Sequence, residues 1–324
     1  MKKETLTAED YLNSGNFKCK IGDYKGAIRD YNIAIKLNPD FVTAYIYRGN
    51  VRYLLKDYKG NIEDFDKAIE LDPDDIEAYL KRGLSKYQLK IYAEAIKDFN
   101  IVIAIKPDFP NIYNERGKAR KKLKDYKGAI EDFTRAIELK PDYFEAYANR
   151  GNVKEDLRDY ISAINDLNKA IELKPDFAKA YSFRGIVKDK LEDYSGAIKD
   201  FDKAIELKPD YAEAYTNRGY IKDELKDFTG AIQDYNKAIK YKSDYAIAYN
   251  NRGIAKSKLE DYRGAIQDYN KAIEIEPDEP VTYNNRAFAK NALDDTDGAC
   301  LDWSKAGELG DFKAYELIKE YCRG

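Results

Sequence analysis

The sequence predicts an all-α fold: a superhelical α-solenoid of about nine 34-residue helix–turn–helix repeats, closed by a C-terminal capping helix. Three observations predict it. The dipeptide Arg-Gly recurs at a constant step of 34 residues, at Arg48-Gly49, Arg82-Gly83, Arg116-Gly117, Arg150-Gly151, Arg184-Gly185, Arg218-Gly219 and Arg252-Gly253, with Ser14-Gly15 and Arg286-Ala287 in the same phase. A period of this length marks a solenoid whose units bury their apolar faces only against their neighbours. Within each period apolar residues recur at helical spacing in two blocks, parted by a turn near Asp57-Tyr58, Asp125-Tyr126 and their equivalents. Pro39, Pro73, Pro107, Pro141, Pro175, Pro209 and Pro277 close the second block, because proline cannot continue a helix, and Ser243 takes that place once.

With the recurrent glycine as position 8, residues 1–7 form a leader and the repeats run 8–41, 42–75, 76–109, 110–143, 144–177, 178–211, 212–245, 246–279 and 280–313 as one solenoid. Thr7-x-x-Asp10 opens the first helix as a capping box. The unit 280–313 departs most: Thr296 replaces the turn tyrosine, Trp303 fills the second-helix aromatic slot and Gly307 an isoleucine slot. Residues 314–324 read as the capping helix, with Leu317, Ile318 and Tyr321 covering the last repeat.

Composition narrows the function. Fifty-six basic residues face 59 acidic ones, a net charge of −3, and this balance argues against nucleic acid as the partner. Histidine is absent, which removes the commonest general base and the commonest metal ligand. No Gly-rich phosphate loop follows a strand, and the turns carry single aspartates rather than a calcium loop. A non-enzymatic protein without metal or cofactor is expected. Three cysteines, Cys19, Cys300 and Cys322, imply no disulfide framework and a reducing compartment, with Cys300 a small buried apolar residue in an isoleucine position. No stretch is apolar enough to span a membrane and Met1–Thr5 has no apolar leader core, so a cytoplasmic location is expected; a signal peptide already removed would leave no mark.

The repeats resemble the tetratricopeptide repeat family over nearly the whole chain. The family pattern asks for an aromatic at position 4, small residues at 8 and 20, aromatics at 17 and 24, alanine at 27 and proline at 32. Unit 178–211 supplies Tyr181, Gly185, Tyr194, Ala197, Phe201, Ala204 and Pro209. The resemblance implies a right-handed superhelix, and the Gly-Ala-Cys-x-Asp-Trp segment near the end resembles bacterial members. Position 7, usually leucine in the family, is arginine in every unit but the first, and position 23 is always aspartate. Two readings stand: a structural ion pair between the helices of a unit, as Arg150 with Asp166, or an arginine that contacts a ligand.

In the family, positions 2, 5, 6, 9, 12 and 13 face the concave groove. They hold Asn13, Asn16, Asn50, Tyr53 and Tyr87 in the first units, then Asn114 beside the basic cluster Lys118, Lys121 and Lys122, then Asn149 and Asn152. Glu145, Glu155, Asp156, Asp189, Glu213, Asp223 and Glu224 follow, with Asn217, Asn251 and Asn285 at position 6 of later units. An asparagine amide both donates and accepts, so it can hold an extended peptide backbone whatever its side chains. The position-6 asparagines resemble the ladder in O-linked N-acetylglucosamine transferase; they also suit an exposed helix face. The lysine cluster reads as a solvated face or as a site for acidic ligand groups. The carboxylate clamp of chaperone-binding members is matched only in fragments, since position 5 never carries lysine and position 6 never arginine. The expected function is a scaffold whose groove binds an extended peptide or helix of a protein partner. The alternative is a self-associating assembly platform, a homo-oligomer.

Overall fold

The structure, a computed structural model, describes residues 6–322; most of the leader and the final two residues of the capping segment lie outside the described residues. Nineteen helices and no strand occur among them. The chain divides into two units, Met1–Asp166 and Leu167–Gly324. The first holds α1 (Ala8–Lys20), α2 (Tyr24–Leu37), α3 (Val42–Leu54), α4 (Tyr58–Leu71), α5 (Ile76–Gln88), α6 (Tyr92–Ile105), α7 (Pro110–Lys122), α8 (Tyr126–Leu139) and α9 (Phe144–Asp156). Helix α10 (Tyr160–Leu173) runs through the division. The second holds α11 (Ala178–Lys190), α12 (Tyr194–Leu207), α13 (Ala212–Glu224), α14 (Phe228–Tyr241), α15 (Ala246–Lys258), α16 (Tyr262–Ile275), α17 (Pro280–Asn291), α18 (Thr296–Glu308) and α19 (Ala314–Tyr321). Within each unit an odd-numbered helix pairs with the even-numbered helix after it, and each pair stacks on the next.

The turn inside each pair is a repeated piece of hydrogen-bond chemistry. In the second repeat Lys56 lies in the left-handed region at φ 62°, and its N–H donates to Tyr53 O at 3.0 Å while Asp57 N–H donates to Arg52 O at 2.8 Å. These are the two bonds of a Schellman motif, which satisfy the last carbonyls of α3. Asp57 then caps α4 by accepting from Gly60 N–H at 3.0 Å. Its carboxylate leaves no room for a side chain there, since a Cβ on Gly60 would lie 2.3 Å from Asp57 Oδ2. In the third repeat both residues change together: Ile91 replaces the capping aspartate, Glu94 replaces the glycine, and α6 has no side-chain cap. The fifth repeat keeps the aspartate without the glycine, and Asp159 accepts from Ser162 N–H at 3.2 Å. Thr7 and Asp10 cap α1 reciprocally, and the Thr7 N–H and hydroxyl, both donating to the Asp10 carboxylate, hold it below its usual range.

In most repeats the core between the paired helices is one aromatic ring laid over one glycine, with Leu167 in the ring position of the fifth and Ala287 in the glycine position of the ninth. Phe99, Phe133, Phe201, Tyr235 and Tyr269 are almost wholly buried, and a Cβ on the facing Gly83, Gly117, Gly185, Gly219 or Gly253 would come within 2.6–2.9 Å of the ring. Ala129, Ala136, Ala197, Ala204, Ala231 and Ala238 have no exposed surface, so the helix axes approach as far as small side chains allow. At the end of the second unit Trp303 fills the ring position between Phe288 and Tyr321, at centroid distances of 5.5 and 5.3 Å. Gly307 is explained by α19, because a Cβ there would lie 2.6 Å from Tyr315 Cζ.

One expectation is overturned here. Cys300 and Cys322 form a disulfide that fastens the end of α19 to α18, and Cys300 is half-buried rather than a core apolar residue. Separation in sequence gave no sign of the pairing; the α18–α19 turn folds the two cysteines to a Cα–Cα distance of 5.9 Å. Cys19 remains a free thiol.

Candidate groove on the first helices

The recurrent arginine is occupied inside the protein. Arg150 Nε donates to Asp166 Oδ2 at 2.9 Å and Nη2 to Oδ1 at 2.7 Å, a bidentate fork between the two helices of one repeat. Its Nη1 reaches back to Thr134 Oγ1 of the preceding repeat at 3.0 Å, and its guanidinium lies over the Tyr147 ring at 5.5 Å. A second cation, Lys154, meets Asp166 Oδ2 at 2.8 Å. The same set recurs at Arg48, Arg82, Arg116, Arg184, Arg218, Arg252 and Arg286. In the first repeat, where position 7 is serine, Ser14 Oγ and Lys18 Nζ hold Asp30 instead. Burial pushes the Asp64 and Asp132 carboxyls up, against the pull of their paired arginines.

In residues 1–166, Asn50 lines a hollow of about 390 Å³ with Asn16, Cys19, Lys20, Tyr47 and Leu54. Tyr53 stands edge-on to Tyr58 at 5.4 Å, and burial raises its hydroxyl pKa. The basic cluster is largely spent within the chain. Lys118 pairs with Glu115 at 2.5 Å beside the Tyr87 ring, and Lys121 pairs with Asp156 at 2.9 Å while donating to Asn152. Lys122 alone of the three has no ion pair among the described residues. Asn114 and Asn149 do not stand open in the groove either. Both are buried, and Asn149 Nδ2 donates to Asn114 Oδ1 at 2.9 Å, so at this step amide meets amide across two repeats.

In residues 167–324 the remaining asparagines line a row of hollows. Asn217 lines one of about 160 Å³ with Ile186, Asp189, Tyr220 and Phe201. Asn251 lines the next, about 140 Å³, with Tyr220, Asp223, Glu224, Tyr235 and Lys258. Asn285 lines the third, about 360 Å³, with Ile254, Lys258, Tyr269, Phe288 and Ala289. Each hollow has the same construction: the position-6 amide, the position-9 side chains of two repeats, and the buried second-helix ring as floor. Asn285 Nδ2 also donates to Asn250 Oδ1 at 3.0 Å.

Models of the tetratricopeptide repeat match residues 77–108, 144–177 and 246–279, and a TPR repeat model matches 15–56, 49–90, 117–157, 190–222 and 224–260, more than half of the chain by itself. The chain belongs to the tetratricopeptide repeat family. Members of that family generally serve as non-enzymatic scaffolds for protein partners, and the repeats here support a protein-interaction scaffold in general terms. Two crystal structures are similar to it in fold. One, of the APC/C hetero-tetramer Cut9-Hcn1, is 14% identical with a TM-score of 0.68, over 92% of this chain and 59% of that one. The other, a tetratricopeptide repeat protein from Parabacteroides merdae ATCC 43184, is 19% identical with a TM-score of 0.57, over 76% of this chain and 99% of that one. The chain therefore spans about 59% of the Cut9-Hcn1 chain that it matches. No curated protein matches the sequence. No helix among the described residues is long and apolar enough to cross a membrane.

Some polar features of this face escape a reading by position. Asn61 occupies a slot that holds alanine in most other repeats, and Ser85 a slot held by Val51, Val153 or Ile221; both are fully buried and bonded to each other. Their signal in the sequence is a paired departure from the repeat. Asp223 is also buried, though less deeply, and nothing in its spacing distinguishes it from the exposed Glu224 beside it.

Proposed function

We propose that this tetratricopeptide array holds an extended peptide segment, or one helix, of a protein partner along the inner surface of its first helices. The observation that carries the reading is the row of three hollows lined by Asn217, Asn251 and Asn285, which offers a side-chain cavity and an amide at each helix step. An extended ligand presents its own backbone groups and side chains at regular intervals, and a periodic surface of this kind can hold both at once. The Cys300–Cys322 bond favours an oxidising compartment over the cytoplasm expected from the odd cysteine count.

Selection of a displayed random-peptide library on the whole chain tests this reading. Peptides should be enriched, and the combined Asn217→Ala, Asn251→Ala and Asn285→Ala variant should weaken their binding at least about tenfold, as lost backbone bonds of about 1 kcal/mol each predict. Enriched peptides that bind the folded triple variant undiminished would remove this face from the site.

A further inference from the structure

The second and third hollows of residues 167–324 differ in chemistry, and the difference specifies a ligand. Asp223 is only 7% exposed. Its Oδ2 meets Lys258 Nζ at 2.5 Å, while its buried Oδ1 has no hydrogen-bond partner. Glu224 stands exposed next to it, and the Tyr220 ring at the same hollow is 43% exposed. Two carboxylates thus face one lysine, leaving an uncompensated negative charge beside an acceptor that lacks a donor. The neighbouring hollow has the opposite character. It is larger, about 360 Å³, and its lining is mainly Ile254, Tyr269, Phe288, Ala289 and Ala292. Lys258 borders both, with its ammonium committed to Asp223.

We propose that the partner places a cationic side chain in the hollow at Asp223 and Glu224 and a bulky apolar side chain in the hollow at Phe288, three residues apart on an extended segment. The inference rests on the groove reading above and gives it a ligand chemistry. A lysine or arginine group supplies the donor that Asp223 Oδ1 lacks, pairs with Glu224, and lies against the exposed tyrosine face. An acidic side chain meets like charge in that place. The spacing follows from geometry. Successive first helices stand about 10 Å apart, and a chain extended as polyproline II rises about 3.1 Å per residue and returns to the same face every third residue, so one helix step corresponds to about three residues.

The test uses the full chain and labelled synthetic peptides followed by fluorescence anisotropy. Each peptide carries Lys-x-x-Phe in a Ser/Gly background, made in both chain directions, with Glu-x-x-Phe and Lys-x-x-Ser as counterparts. One direction of Lys-x-x-Phe should bind at least about tenfold tighter than Glu-x-x-Phe, by the strength of a bond to a charged group. Its binding should weaken as salt rises from about 0.05 M to about 0.5 M. Glu224→Gln, at an exposed position, and Asp223→Asn should each remove most of that preference, with circular dichroism confirming the fold. Equal binding of the lysine and glutamate peptides, or a preference untouched by Glu224→Gln, overturns the proposal. The unbiased library separates the two levels. If it yields no groove peptide, the groove reading falls; if it yields peptides indifferent to Asp223 and Glu224, only the ligand chemistry falls.

Discussion

The buried pair Asn61–Ser85 allows the sharpest energetic test of how this array tolerates a departure from its repeat. Asn61 Nδ2 donates to Gly49 O at 2.8 Å, and Ser85 Oγ donates to Asn61 Oδ1 at 2.5 Å, with neither residue exposed. The bond joins α4 to α5, so it lies between repeats rather than within one. Ser85→Ala removes the donor and leaves Asn61 Oδ1 unsatisfied where water does not reach. The expected cost is about 1–3 kcal/mol, the desolvation penalty of an unpaired buried acceptor. Asn61→Ala leaves the Ser85 hydroxyl in the same position and adds a small cavity, for a comparable loss.

The double variant is the discriminating one. Alanine at both places reproduces the combination that Ala231 and Ala255 already make in the second unit, where both are fully buried. With no polar atom left to satisfy, Asn61→Ala/Ser85→Ala should recover most of the single losses, giving a coupling energy of about 1–2 kcal/mol. Urea unfolding measures the sum, and amide exchange in α3–α5 locates it, since stacked repeats need not unfold in one step. If Ser85→Ala falls within about 0.5 kcal/mol of the parent, or the double loss equals the sum of the singles, the pair is not a closed polar unit and the reasoning fails.

Three further outcomes follow from the same structure. Gly219→Leu should cost about 1–3 kcal/mol in urea unfolding, because even a Cβ there would lie 2.8 Å from Tyr235 Cε1; a neutral result would mean the joint between α13 and α14 is looser than described. Replacing Cys300 and Cys322 together with serine should lower the stability of the C-terminal repeats by about 3 kcal/mol, from the 22-residue separation that the cross-link closes, and reductant should bring the parent to the same value. Equal urea midpoints for oxidised parent and variant would refute the latch. Burial pushes Tyr87 and Tyr269 up to about 12, so between the ordinary tyrosine value of about 10 and that value the folded chain holds protons the unfolded chain has released. Stability should therefore fall as pH rises through that window, and phenolate absorbance should appear together with loss of helix; early ionisation of every tyrosine without unfolding would contradict it.

The architecture was legible because its causes are periodic. A ring over a glycine, an aspartate at a helix start and a proline after a helix each act within one repeat, so 34-residue spacing carries them directly. The groove was less legible because exposure depends on what each side chain meets across repeats. Lys118, Lys121, Asn114 and Asn149 stand at the same positions as open residues, yet they are paired with Glu115, Asp156 and each other. No spacing rule tells which amides line a hollow, since Asn285 meets Asn250 as Asn149 meets Asn114 and lines one all the same.

That contrast bears on where specificity can reside. The charges that repeat most faithfully are the least available: Arg218 is held by Asp234 and Asp202, and Asp234 by Lys222 as well. A ligand that displaced any of them would strand a half-buried partner, at a cost of about 3–5 kcal/mol that weak groove contacts do not offset. Binding chemistry must then use groups whose removal from water is already incomplete or uncompensated. Asp223 meets that condition, with one oxygen bonded to Lys258 and the other without a donor. The site is expected where the internal network fails to close, because there a partner's donor relieves a cost that the fold alone leaves standing.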